Sequence, residues 1–123
     1  MPMRWEIDHA AKFVSIVAEG PLTRQEMEEH FDALFVANAM GYAKLVDVTK
    51  ARPIYTDDDV MTMGARLSAY AEELPSGPLA VVGKANMRGV FKLFVHISPS
   101  DRPAKYFASE AKARSWLETL AAG

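Results

Sequence analysis

Residues 42–67, YAKLVDVTKARPIYTDDDVMTMGARL, set an apolar strand, a proline-marked loop and an acid-headed helix in succession. Leu45, Val46 and Val48 surround Asp47 in residues 42–49, as in a strand buried in a sheet. Residues 50–55 read as a loop. A helix is expected from about Asp57 to Leu74, with Val60, Met63, Gly64, Leu67 and Ala71 inward, and Pro75-Ser76-Gly77-Pro78 ends it. A buried strand followed at once by a helix is the repeating unit of an α/β domain.

Working outward, residues 4–8 alternate, with Trp5 and Ile7 opposite Arg4, Glu6 and Asp8, the period of two of a half-exposed edge strand. After a turn at His9-Ala10-Ala11, residues 13–18 (FVSIVA) are β-branched and apolar, so a strand covered on both faces is expected, antiparallel to the first. Gly20-Pro21 is expected to break it. Thr23 and Glu26 form a T-x-x-E capping box for a helix whose Met27, Phe31, Leu34 and Phe35 share one stripe. Gly41 is expected to supply the left-handed stop. The strand at residues 42–49 then lies parallel to the one at Phe13 through a right-handed crossover.

Further on, residues 79–82 (LAVV) are a short core strand, and residues 86–97 carry Met87, Val90, Phe91, Phe94 and Val95 at helical spacing. The loop at residues 98–103 precedes a last strand at residues 105–108. Ser109 caps a helix over residues 110–120 with Ala113, Trp116, Leu117 and Leu120 as its stripe. The expected order is ββαβαβαβα, one domain over residues 1–123 with a five-stranded mixed sheet and helices packed on it.

Composition narrows the function classes. Half of the 123 residues are hydrophobic, and the formal net charge is -2 with acids and bases interleaved. There is no basic footprint for nucleic acid and no apolar run of membrane-spanning length. Without cysteine, disulfides and thiolate chemistry are excluded. A cytoplasmic protein without membrane insertion is expected.

The strand-and-helix order, together with several local sequences, resembles the SpoIIAA-like (STAS) fold. LVDVT at residues 45–49 stands where anti-sigma factor antagonists carry a D-[LF]-S strand. YFASEAKARSWL at residues 106–117 and RWEIDHAAKFVSIVAEGPLT at residues 4–23 are similar to the SpoIIAA-like proteins grouped with CRAL-TRIO lipid-binding domains. The resemblance implies an α/β SpoIIAA-like domain with a ligand- or partner-binding role. Where an antagonist has its phosphorylated Asp-Ser-Ser-Gly, this chain has Thr56-Asp57-Asp58-Asp59, which puts that switch in doubt.

Two helix starts are the candidate sites. Thr56 and Asp59 suit a T-x-x-D box, and carboxylates at Asp57, Asp58 and Asp59 are favoured by the helix dipole. Successive helical residues point about 100° apart, so the triplet does not converge on one metal ion. This start is the expected partner or regulatory surface. The second runs through Lys84, Asn86, Met87 and Arg88, where an Asn86 cap, free helix N–H groups and two basic side chains would hold an anion or small ligand beyond a strand's carboxyl end. His9, His30 and His96 lack zinc spacing and are expected at the surface or half-buried.

The leading expectation is therefore a non-catalytic binding or regulatory domain that meets a protein partner or small ligand through these helix starts, with no cofactor. Seven methionines raise a second expectation. Met61, Met63 and Met87, with the apolar third helix, would border a small apolar or lipid ligand, or a homodimer surface. The third is an enzyme using Asp47, Asp57 or Asp58 as a base.

Overall fold

The computed structural model describes residues 3–54, 56–71, 77–97 and 102–122. In chain order the elements are β1 (Met3–Asp8), β2 (Phe13–Leu22), α1 (Arg24–Val36), β3 (Ala43–Pro53), α2 (Asp57–Ala71), β4 (Leu79–Val82), α3 (Ala85–Ile97), β5 (Ala104–Phe107) and α4 (Glu110–Ala122). They build the expected five-stranded mixed sheet, in the order β1-β2-β3-β4-β5. β1 is antiparallel to β2, and every later neighbour is parallel.

That order decides the layering. Each crossover from β2 onward steps one strand in the same direction, and right-handed crossovers that step the same way put their helices on the same face. So α1, α2 and α3 share one face. There they cover Val14, Ile16 and Ala18 of β2, Val48 of β3 and Leu79 and Val81 of β4. After β5 no crossover follows, and α4 packs on the opposite face, where Ala113 and Leu117 meet Leu45, Ala80 and Val82.

Several boundaries differ from the sequence expectation for physical reasons. Gly20-Pro21 does not break β2: the strand runs on to Leu22, pairing Gly20 with Ala51, Pro21 with Arg52 and Leu22 with Pro53 after an irregularity between Val17 and Glu19. Gly20 takes φ +70, and Pro21 lies past Ala18, the last residue of β2 that β1 pairs among the described residues, so its missing N–H takes no bond from the β1 ladder. β3 correspondingly runs to Pro53 in place of the expected loop. Residues 13, 15 and 17 are only half-buried because α4 lies over β3, β4 and β5 and leaves that face of β1 and β2 partly open. The left-handed residue after α1 is Asn38, at φ 59, and not Gly41, as asparagine tolerates this region among non-glycine residues.

Two N-caps form as expected, with one change. Thr23 Oγ1 accepts from Glu26 N at 3.2 Å, but Glu26 Oε1 takes the threonine hydroxyl at 2.9 Å in place of the backbone N–H. Ser109 Oγ accepts from Lys112 N at 3.2 Å. The expected helix end at residues 72–76, the loop at residues 98–101 and the side chains of Leu67, Ala71, Phe94 and His96 lie outside the described residues. Among the described residues no helix is long and apolar enough to cross a membrane.

Candidate functional site: an apolar cavity with a cationic end

The three-helix face does not close solidly on the sheet. A cavity of about 110 Å³ lies between them, lined by residues of α1, α2, α3 and of β1 to β4. Its wall includes Met3, Met27, Met40, Met63 and Met87, five of the seven methionines in the chain. Unbranched thioether side chains re-pack at low cost, so this wall can adapt to an occupant.

The rest of the wall is aliphatic or aromatic except for His30, Lys44 and Arg102. Lys44 follows from strand register. Alternate residues of β3 face the helices, so Lys44 points the same way as Val46 and Val48 and is carried into the interior at 4% exposure. Its Nζ donates to the carbonyls of Met40 at 2.6 Å and Tyr42 at 3.0 Å. Burial, and then the neighbouring Arg102 guanidinium, pull its pKa down to about 7. Among the described residues no carboxylate pairs with it.

His30 comes from the middle of α1, three residues after Met27 and four before Leu34, and so sits on the buried stripe. It is 2% exposed, which corrects the expectation of a surface or half-buried histidine. Trp5 meets its ring edge-on at 4.6 Å. Burial, and then Lys44, hold the imidazole down at about 4, so it is neutral near pH 7. Its Nδ1 is buried without a hydrogen-bond partner. Arg102 enters just before β5.

None of the three polar groups was expected at a ligand site, although two carried a signal. A lysine in register with Val46 and Val48, and a histidine on the Met27–Leu34 stripe, are both inward positions. Arg102 had none, being two residues before a four-residue strand.

The expected sites lie at the opposite edge. Lys44 is the second residue of β3 and Leu79 the first of β4, whereas the starts of α2 and α3 follow the carboxyl ends of those strands. At α2 the T-x-x-D box is formed: Thr56 N donates to Asp59 Oδ2 at 2.9 Å, and Asp59 N to Thr56 Oγ1 at 3.2 Å. Asp59 also faces Arg24 of α1 at 3.5 Å, while Thr56, Asp57 and Asp58 are exposed. Asp47, the other carboxylate considered as a base, accepts from Thr49 N at 2.9 Å and Thr49 Oγ1 at 2.7 Å.

At α3 the helix starts one residue earlier than expected, so Asn86 is within its first turn and donates to Ala51 O at 3.5 Å instead of capping. Lys84 and Arg88 are exposed, with the Arg88 guanidinium 5.0 Å from the Tyr106 ring centroid and the Tyr106 hydroxyl bonded to the Lys84 carbonyl. Met87 points inward and joins the cavity wall. The structure thus keeps Lys84, Asn86 and Arg88 together and sends Met87 elsewhere. Strand order also never reverses among the parallel strands, so this edge has no topological switch point to open a crevice. Among the described residues no group of three or more His, Asp or Glu side chains is placed to hold a metal ion.

No known protein-family profile matches the chain, and no curated protein matches it. Its fold is that of SpoIIAA-like proteins. Among solved structures it is similar to an uncharacterised protein of the DUF3478 family with a SpoIIAA-like fold from Shewanella loihica PV-4. The TM-score is 0.64 at 18% identity, over 94% of this chain and 93% of that one.

Proposed function

We propose that this is a binding domain that encloses a small, mainly apolar ligand between its sheet and helices α1, α2 and α3. The single observation that carries the reading is the methionine-walled cavity of about 110 Å³. An apolar cavity of about 150 Å³ takes up benzene or xenon, so this one suits an occupant of about four or five heavy atoms. A long-chain lipid requires several times that space. The groups that face the cavity orient a ligand; Asp47, Asp57 and Asp58, the carboxylates weighed as bases, are not among them. Xenon under moderate pressure, followed by methyl NMR, tests this: shifts concentrated at Ile16, Val48, Val81 and Met63 are expected. Unchanged methyl signals would refute it.

A second reading, a partner surface at the start of α2, is favoured by one observation. Ile54 and Met61, at 52% and 56% exposure, flank the exposed Asp57 and Asp58. Apolar side chains beside fixed charges suit a protein partner. Asp57→Asn with Asp58→Asn would then weaken binding to that partner without changing stability. Retained binding by the double variant would remove this reading.

A further inference from the structure

A purely apolar ligand accounts for the cavity wall but not for its charge. Lys44 is a buried ammonium or amine held by two carbonyl oxygens, from Met40 and Tyr42. An ammonium has three N–H donors, so in its charged form one remains for a further acceptor. Carbonyl dipoles satisfy donors without neutralising the charge. Arg102, always protonated, contributes a second positive charge to the same wall, and no Asp or Glu lines the cavity among the described residues. His30 adds a nitrogen that is buried and has no hydrogen-bond partner. The spare donor of Lys44 and the unpartnered nitrogen of His30, on an otherwise apolar wall, leave a place for an anionic oxygen.

We infer that the ligand is a short-chain monocarboxylate, its carboxylate bonded to Lys44 Nζ and its alkyl chain lying along the methionines. This rests on the small-ligand reading of the cavity and specifies its chemistry. The carboxylate would take the remaining N–H of Lys44, lie in the field of Arg102 and offer His30 an acceptor once the Nδ1 tautomer carries the proton. The volume suits an acid of about two or three carbons, and re-packing of the methionine wall admits the fourth carbon of butyrate. The head group would sit at the amino ends of β3 and β4, the edge opposite to the exposed helix starts.

The test compares butyrate with butyramide, its neutral isostere, by NMR titration of the whole chain at pH 7, with xenon as the probe of the cavity itself. Butyrate is expected to bind at least tenfold more tightly than butyramide, and Lys44→Met to abolish the difference while still admitting xenon. If xenon enters and the two ligands bind equally, the carboxylate assignment is overturned and the small-ligand reading stands. Should none of the three perturb the cavity methyls, both fall. A preference for butyrate that survives in Lys44→Met overturns the role of Lys44. The wild-type comparison is decisive by itself, so a poorly folded variant does not rescue the proposal.

Discussion

Lys44 Nζ donates to the carbonyl of Met40 at 2.6 Å, and the same oxygen accepts the N–H of Gly77 at 2.9 Å. One carbonyl thus joins a buried cation, the loop before β3 and the approach to β4. Desolvating a lysine opposes its charged form, so Lys44→Met, close in length, is expected to raise stability by about 1–3 kcal/mol at pH 6. Urea unfolding measures it. A loss of stability would show that the ammonium is held more favourably than its burial allows.

Stability should fall on acidification in two windows. His30 titrates near 4 in the fold against 6.5 when unperturbed, and Lys44 near 7 against 10.5. In each window the unfolded chain binds a proton that the folded chain does not, so stability rises with pH. It climbs from pH 4 to 6.5 through His30 and from pH 7 to 10.5 through Lys44. The groups facing His30 are Trp5 and Lys44, and those facing Lys44 are His30 and Arg102. The His30 step is on the order of 3 kcal/mol, and His30→Phe should flatten the acid limb alone. A pH-independent urea midpoint between 4 and 6.5 in the wild type would contradict this.

The reciprocal bonds between Thr56 and Asp59 predict a coupled pair. Thr56→Ala should cost about 1 kcal/mol, and the double variant with Asp59→Ala should lose less than the sum of the two singles. Asp57→Asn and Asp58→Asn, at exposed positions outside the box, should change stability by less than about 0.5 kcal/mol. Thermal or urea denaturation separates these outcomes, and equal large losses at all positions would deny the box its special role.

Gly77 and Gly83 are close-approach positions of different severity. A Cβ at Gly77 would press into the carbonyl oxygens of Gly41 and Tyr42, which are backbone and cannot rotate away. At Gly83 it would meet the Tyr106 hydroxyl and, at 2.8 Å, Val48 Cγ2, both on side chains. Gly77→Ala should therefore cost more than about 2 kcal/mol and Gly83→Ala about 1–3 kcal/mol. The Gly83 variant should also release Tyr106 from the Lys84 carbonyl, visible as a change in tyrosine fluorescence or absorbance.

Periodicity and capping are local, and they were legible. The alternation of Trp5 with Ile7, the Met27–Leu34 stripe, the Thr56 box and the Ser109 cap each depend on residues a few positions apart, so sequence alone located the elements and the α/β class. Element ends were less legible where pairing overrode local preference, as at Gly20-Pro21, which β3 holds in the sheet across nine paired positions of β2.

What the sequence by itself determined was the order of strands and helices and the chemical character of each face. Only the tertiary structure decided that the crossovers all advance in one direction, stacking three helices on one face. That stacking gathers methionines from β1, α1, the loop before β3, α2 and α3 around one space, and brings Lys44, His30 and Arg102, up to 72 positions apart in the chain, onto its wall. Such convergence depends on strand order and handedness, which are properties of the whole sheet and of no single stretch.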